Sequence, residues 1–300
     1  MNLSGLLFAI VFFAIITTLY VVITTHLIRR SRKGRHPLNK DIKLLRQPGE
    51  GLRTQLELID EQMTEEILKG ILVPALVFSL PIVVLNWLKI ADHQLVTVMV
   101  LVITGCLVSL GYRIWKLVRL ITKRKDYRLG LAGERAVADA LDPLKAKGYR
   151  VFHDIPVQGA EKTFNLDHVV VGPTGLFCIE TKARRKYAAK NGGEDHKVGF
   201  DGKALLWPNG RDEKSVFQAK KNSDWLGKWL LRQLGRSVPV STFLAIPGWY
   251  TEETLRENVR VLSQNRLAHH IQQGQPLDAV SVDLIARQLD SLCRDVPCEA

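Results

Sequence analysis

Asp167 and the run Glu180-Thr181-Lys182 have the residue types and spacing of a metal-dependent phosphodiester-cleaving site. Residues two apart on a strand share a face, so Glu180 and Lys182 point the same way. A hairpin between the two segments brings Asp167 beside Glu180. Converging carboxylates repel unless a cation neutralises them, and hard oxygen ligands favour Mg²⁺ or Mn²⁺. Such an ion polarises a phosphoryl oxygen and lowers the pKa of bound water. Lys182 is placed to orient the attacking water or to stabilise the developing negative charge. Glu134, after Gly133, is a candidate third ligand. Gln218 is a candidate partner for phosphate or for Lys182. Arg184, Arg185, Lys186, Lys220 and Lys221 are candidate contacts for a nucleic-acid backbone. Taken singly, each of these is ordinary surface; the order of the set is what carries information.

The elements that must position them can be read from periodicity. Ala132, Ala136, Val137, Ala140 and Leu141 have helical spacing, and Pro143 ends or bends that helix. Arg150 to Ile155 reads as a strand. Leu166 to Gly172 and Gly175 to Lys182 read as two more, joined by Pro173-Thr174 in a tight turn. A polar loop runs through Asn191-Gly192-Gly193. Glu213 to Leu234 reads as a long helix, Val238 to Ile246 and Val259 to Leu262 as strands, and Ala279 to Leu292 as an amphipathic helix. Strands and helices in this order predict a three-layer α/β/α domain.

A different solvent governs the N-terminal part. Runs at 3–27, 71–88 and 95–112 are apolar enough to span a bilayer. Arg29, Arg30, Arg32, Lys33 and Arg35 follow the first run, and Arg113 to Arg128 is basic after the third. The loop between the second and third carries only Lys89. The positive-inside rule then predicts a multi-pass protein of the inner, cytoplasmic membrane with its C-terminal domain in the cytoplasm. The expected division is a membrane module over 1–128 and a soluble domain over 129–300. Leu52 to Leu68 reads as an amphipathic cytoplasmic helix, suited to packing or dimerisation.

The net charge is +12, but most of it belongs to topology. From Leu131 onward 24 Lys/Arg face 21 Asp/Glu, a net of +3, which leaves +9 before it. Global basicity is therefore no argument for nucleic-acid binding. Cys293 and Cys298 lack a second pair and do not resemble a zinc site, and the four cysteines are expected as reduced thiols.

The segment Gly133-Glu134, followed by Leu166-Asp167-His168-Val169-Val170-Val171-Gly172-Pro173-Thr174-Gly175-Leu176-Phe177-Cys178-Ile179-Glu180-Thr181-Lys182, resembles the nuclease-related domain family, NERD. That family is grouped with the restriction-endonuclease-like PD-(D/E)xK superfamily. The resemblance covers roughly 129–234. It implies an α/β/α restriction-endonuclease-like fold, Mg²⁺ and DNA processing. It also implies a site of Glu134, Asp167, Glu180 and Lys182, supported by Gln218. The superfamily's proline before the Asp is replaced by Leu166.

The expectation is a membrane-anchored, Mg²⁺-dependent nuclease acting on DNA at the cytoplasmic side. Two cuts on a duplex would favour a homodimer. The alternative is a catalytically inactive nucleic-acid-binding or membrane scaffold protein that keeps the nuclease-like fold.

Overall fold

The computed structural model describes residues 15, 18–23, 25–26, 43–88, 92–158, 163–187, 195–251, 255–256 and 258–297. The chain divides into two compact units: Met1–Pro37 with Glu57–Lys125, and Leu38–Leu56 with Asp126–Ala300. A short strand β1 (Lys43–Leu45) precedes two long helices, α1 (Glu50–Leu88) and α2 (Asp92–Leu141). The boundaries between units fall inside both helices.

The amphipathic stretch 52–68, which lies in the first unit from Glu57 on, continues as helix without a break into the second apolar run. Glu66 is buried, and its carboxylate accepts from Lys116 Nζ at 2.7 Å and Arg113 Nη1 at 3.3 Å. Asp60 accepts from Arg124 through two guanidinium nitrogens. These pairs join α1 to α2. Among the described residues, one helical stretch, Val96–Lys147, is long and apolar enough to cross a membrane. Its apolar window has a mean hydropathy of 1.8, none of it buried inside the structure. The first apolar run, 3–27, lies mostly outside the described residues, and the second is helical backbone within α1. The segment expected to link the third run to the soluble domain is helix throughout. α2 passes unbroken from the apolar run through the basic cluster to Glu134.

The second unit is a mixed α/β fold. A 3-10 turn (Asp142–Lys147) with Pro143 in its first turn follows α2, as the missing proline N–H requires. Then come β2 (Arg150–Gln158), β3 (Thr163–Gly172), β4 (Gly175–Thr181), β5 (Lys197–Phe200), β6 (Leu205–Trp207), β7 (Gly210–Asp212) and α3 (Lys214–Leu234). β8 (Val240–Ala245), β9 (Tyr250–Thr251), β10 (Leu255–Arg256), β11 (Val259–Leu262), α4 (Leu267–Ile271), α5 (Ala279–Cys293) and β12 (Arg294–Pro297) complete it. The larger sheet has the order β10-β11-β8-β4-β3-β2. β2, β3 and β4 form an antiparallel meander, whereas β8 is parallel to β4 and to β11.

Alternation along these strands buries both faces. Val169, Val171, Leu176 and Cys178 pack with Leu226 and Leu230 of α3 and with Ile285 and Leu289 of α5. Val170, Phe177 and Ile179 pack with Val137 and Leu141 of α2 and with Leu267 and Ile271 of α4. Fully burying one Leu or Ile side chain contributes about 1.5–3 kcal/mol, so the two clusters dominate the unit's stability.

Two pairings lie outside the sequence expectation. β5, β6, β7 and β9 form a small sheet in the order β7-β6-β5-β9. It shares a core with α3 through Phe200, Leu205, Trp207, Val216, Ala219 and Trp249. β1 pairs with β12, and the Arg46 N–H donates to the Cys293 carbonyl at 3.2 Å. Residues 38–56 therefore belong with the α/β unit, which the expected boundary at 129 leaves out. Among the described residues Cys106, Cys178 and Cys293 form no disulfide, while Cys298 and the Asn191–Gly193 loop lie outside the described residues.

Candidate active site: a row of buried carboxylates

The antiparallel register sets the site. His168 pairs with Ile179, which puts Asp167 opposite Glu180 on β4. On the other side, His153 pairs with His168 and Ile155 with Leu166, which puts Asp154 of β2 opposite Asp167. Asp154, Asp167 and Glu180 thus form one row across three strands. Strict alternation slips at this row. Phe152 and Ile155 are three apart yet join the same cluster, as do Leu166 and Val169. Asp154 itself has φ +47, a left-handed conformation that an aspartate tolerates better than most residues.

Glu134 reaches the row from α2. A Cβ at Gly133 would sit 2.7 Å from Ala183 Cβ and 3.2 Å from Pro247 Cγ. Only a residue without a side chain lets the helix lie this close to the ends of β4 and β8. Glu134 and Glu180 are 7% and 6% exposed, and Asp154 is 3% exposed. Asp167 is half-buried.

The hydrogen bonds divide the four acids into two kinds. Asp154 is saturated: Oδ2 accepts from Arg46 Nη1 at 2.7 Å and from the Gly51 N–H at 2.8 Å, and Oδ1 accepts from Asn165 Nδ2 at 2.8 Å. The others are sparsely served. Asp167 Oδ2 accepts from the Thr181 N–H at 2.7 Å, and Glu180 Oε2 from Asn222 Nδ2 at 2.7 Å. Among the described residues Glu134 Oε2 is buried without a partner, although the Gly49 N–H faces its carboxyl.

Electrostatics follow from that inventory. Burial pushes Glu134 up to about 9, with Asp167 and Asp154 adding repulsion and the Gly49 N–H opposing it. Burial raises Asp167 to about 7; the Thr181 N–H and Lys182 oppose this, and Asp154 adds to it. Glu180 is raised well above the carboxylate range by burial and by Asp167. Asp154 is also raised by burial, against the Gly51 N–H, Asn165 and Arg46. Three crowded carboxyls that cannot all ionise comfortably are a site for an added cation. The orphan oxygen of Glu134 and the all-oxygen donor set fit Mg²⁺ or Mn²⁺. Among the described residues, no three His, Cys, Asp or Glu side chains are gathered as a ready-made metal cage.

The structure brings Glu134, Asp167, Glu180 and Lys182 together. Lys182 is half-buried, its backbone N–H donating to Ala245 O at 2.9 Å, and its charge acts on both Asp167 and Glu180. Gln218 is placed differently: it is exposed on α3, and the helix side chain bonded to Glu180 is Asn222, one turn further on. Asn222 was readable only from its place among buried positions such as Ala219, Ser223 and Leu226, which marks it as a polar residue on the packed side. Asp154 carried no strand-face signal, because its left-handed backbone breaks the alternation.

The basic candidates fall into two groups. The Arg184 guanidinium lies over Trp207 at 4.9 Å, and the Trp249 Nε1–H donates to Arg184 O at 3.0 Å. Lys186 lies over Trp249 at 5.4 Å, and Arg185 pairs with Asp126 at 3.1 Å. On α3, Lys220 is half-buried and the Lys221 ammonium lies 5.6 Å from the Phe164 ring centroid.

Comparison with known proteins agrees with the position of this row. The family model of NERD, the nuclease-related domain, matches residues 129–247. An uncharacterized protein of Bacillus anthracis is 41% identical over 54 residues, which cover 18% of this chain and 26% of that protein. The chain thus spans about a quarter of the length of the curated relative it matches. No solved structure matches. The stretch matched by the nuclease-related domain model runs from the last turns of α2 to just past the end of β8.

Proposed function

We propose that the protein is a membrane-anchored nuclease that hydrolyses DNA phosphodiester bonds with Mg²⁺ or Mn²⁺ on the cytoplasmic side. The observation that carries this reading is the set of three mutually repelling carboxyls on buried Glu134, buried Glu180 and half-buried Asp167, with a half-buried lysine beside them. These three residues would hold the ion. When bound, it supplies Lewis-acid polarisation of the phosphate and a more acidic water. The Thr181 N–H and the Asn222 amide fix the orientation of the Asp167 and Glu180 carboxylates, as outer partners do in metal sites. Lys182 holds a positive charge where negative charge grows during phosphoryl transfer. Arg184 and Lys186, braced on indole rings, are suited to steer the phosphate backbone toward the row, and Lys220 and Lys221 offer a second contact from α3.

The membrane part of the proposal rests on exposed apolar surface. Val96, Val100, Leu101, Leu107 and Val108 are all more than half exposed along one helix. Water does not stabilise so long an apolar surface, whereas a bilayer does. Together with the basic residues beyond that run, it favours one membrane span with the catalytic unit on the cytoplasmic side.

The deciding experiment is a cleavage panel on the full-length chain in detergent, with single-stranded, duplex and branched DNA and with RNA. Cleavage that needs Mg²⁺ or Mn²⁺ and disappears in Asp167→Ala and Lys182→Ala supports the proposal. A folded wild-type protein that cuts none of these substrates overturns it, leaving nucleic-acid binding or scaffolding as the role of the domain.

A further inference from the structure

The site is completed by residues far upstream of the matched domain. Arg46 and the Pro48-Gly49-Glu50-Gly51 turn lie against the acidic row, and Gly51 is in the first turn of α1. The first N–H groups of a helix have no partner within it. Here the Gly51 N–H donates to Asp154 Oδ2, so Asp154 caps α1 from a distant part of the chain. Two residues earlier, the Gly49 N–H serves the Glu134 carboxyl. The approach is close: a Cβ on Gly51 would sit 2.6 Å from Asn165 Nδ2 and 3.3 Å from Asp154 Oδ1. Arg46 adds a full positive charge against Asp154, and it also donates to the Asp154 carbonyl at 3.3 Å. The β1–β12 pairing anchors the strap from its other side.

Asp154 is not placed as a metal ligand, since both its oxygens are taken by three protein donors. We propose that Asp154 is a positioning residue, and that Arg46 and the start of α1 are held through it as a strap that shapes the Glu134–Asp167–Glu180 site. This inference rests on the nuclease reading. It makes the site depend on the segment between the first two apolar runs, so that the helix carrying the second run begins at the active centre.

The test uses the full-length chain in detergent, as wild type, Arg46→Ala, Arg46→Lys, Gly51→Ala and Asp154→Asn. Three quantities are measured: melting temperature, Mn²⁺ affinity by isothermal titration, and kcat and KM on duplex DNA. Folded Arg46→Ala and Gly51→Ala are expected to lose about 10–100-fold in kcat or in Mn²⁺ affinity, the range for outer partners of a metal site. The KM for DNA should stay within about twofold, and Arg46→Lys should recover most of the loss. A lower melting temperature with wild-type kcat and Mn²⁺ affinity means a purely structural strap and overturns the inference. If Asp154→Asn does not fold, the Arg46 pair decides alone. A wild-type chain that neither binds Mn²⁺ nor cuts overturns the nuclease proposal and this inference with it. A wild-type chain that does both while the strap variants match it overturns this inference alone.

Discussion

Two buried clusters lie side by side on β2 and β3 and have settled in opposite ways. His153 and His168 are directly paired across the strands, their Nδ1 atoms 2.8 Å apart and their rings edge to face. Asp154 and Asp167 are the adjoining residues, one step along each strand. Burial acts on both clusters. It lowers His153 to about 4 and His168 well below its usual range, so both rings are neutral, and neutral imidazoles satisfy each other with one donor and one acceptor. Burial raises the carboxyls instead, and like charges leave them no way to satisfy one another. At Nδ1 the histidines are closed by their own chemistry, while the buried His168 Nε2 has no partner among the described residues. The acids stay open toward a cation from outside. Desolvation alone therefore does not mark a functional site; what marks it is like charge brought together in a desolvated place and left uncompensated.

The most severe way to challenge this contrast is to remove its acidic half. Asp167→Ala and Lys182→Ala should each lower metal-dependent cleavage by at least about 10²-fold, read as initial rates on labelled DNA. A cut that persists would place the chemistry elsewhere. Next in size is the strap. A fragment starting at 129 lacks Arg46 and Gly51, and stripping one partner from a buried ion pair costs about 3–5 kcal/mol. Denaturant unfolding should find that fragment less stable than one that retains 38–56 by a flexible fusion. Asn222→Ala should then lose about 10–100-fold in kcat, whereas Gln218→Ala, on the exposed turn before it, should stay within about twofold.

Acidity sharpens the comparison further. Folded, metal-free Glu134 holds its proton to about pH 9, whereas an unfolded glutamate releases it near 4.5. Between those values the native state binds more protons. The stabilisation is fully present below about pH 4.5 and is lost as pH rises toward 9, at most about 1.4 kcal/mol per pH unit. His153 and His168 act with the opposite sign, losing stability as pH falls below their unfolded value near 6.5. Glu134→Gln should flatten the alkaline side of the metal-free melting curve and leave the acidic side in place. The smallest effect on activity belongs to the histidines. His153→Leu should cost about 1–3 kcal/mol by leaving the His168 ring unpaired, with cleavage changed by less than about threefold.

Local patterning carried much of the α/β unit. The β3–β4 hairpin, the helix ending before Pro143, α3, β11 and α5 all follow from period-two or period-3.6 spacing, turn residues and a proline block, and the structure has them within a few residues. Asp167 and Glu180 meet because a two-residue turn fixes their register. What escaped was non-local or irregular. β5 to β7 are three or four residues long, too short for a periodic signal. Asp154 sits where the pleat slips. Arg46 and Gly51 reach the row from over a hundred residues away, and no spacing rule extends so far. Asn222 looked like one polar residue among many on a helix until its face was known.

Trp207 and Trp249 meet edge to face with ring centroids 4.9 Å apart, and the second indole holds the Arg184 carbonyl. Two indoles so close and so steeply inclined couple their electronic transitions, and that coupling gives a distinctive circular-dichroism couplet. The pair is therefore a built-in optical gauge fixed to the segment that follows Lys182. A bound oligonucleotide that pulls Arg184 away from Trp207 would change the couplet before any bond is broken.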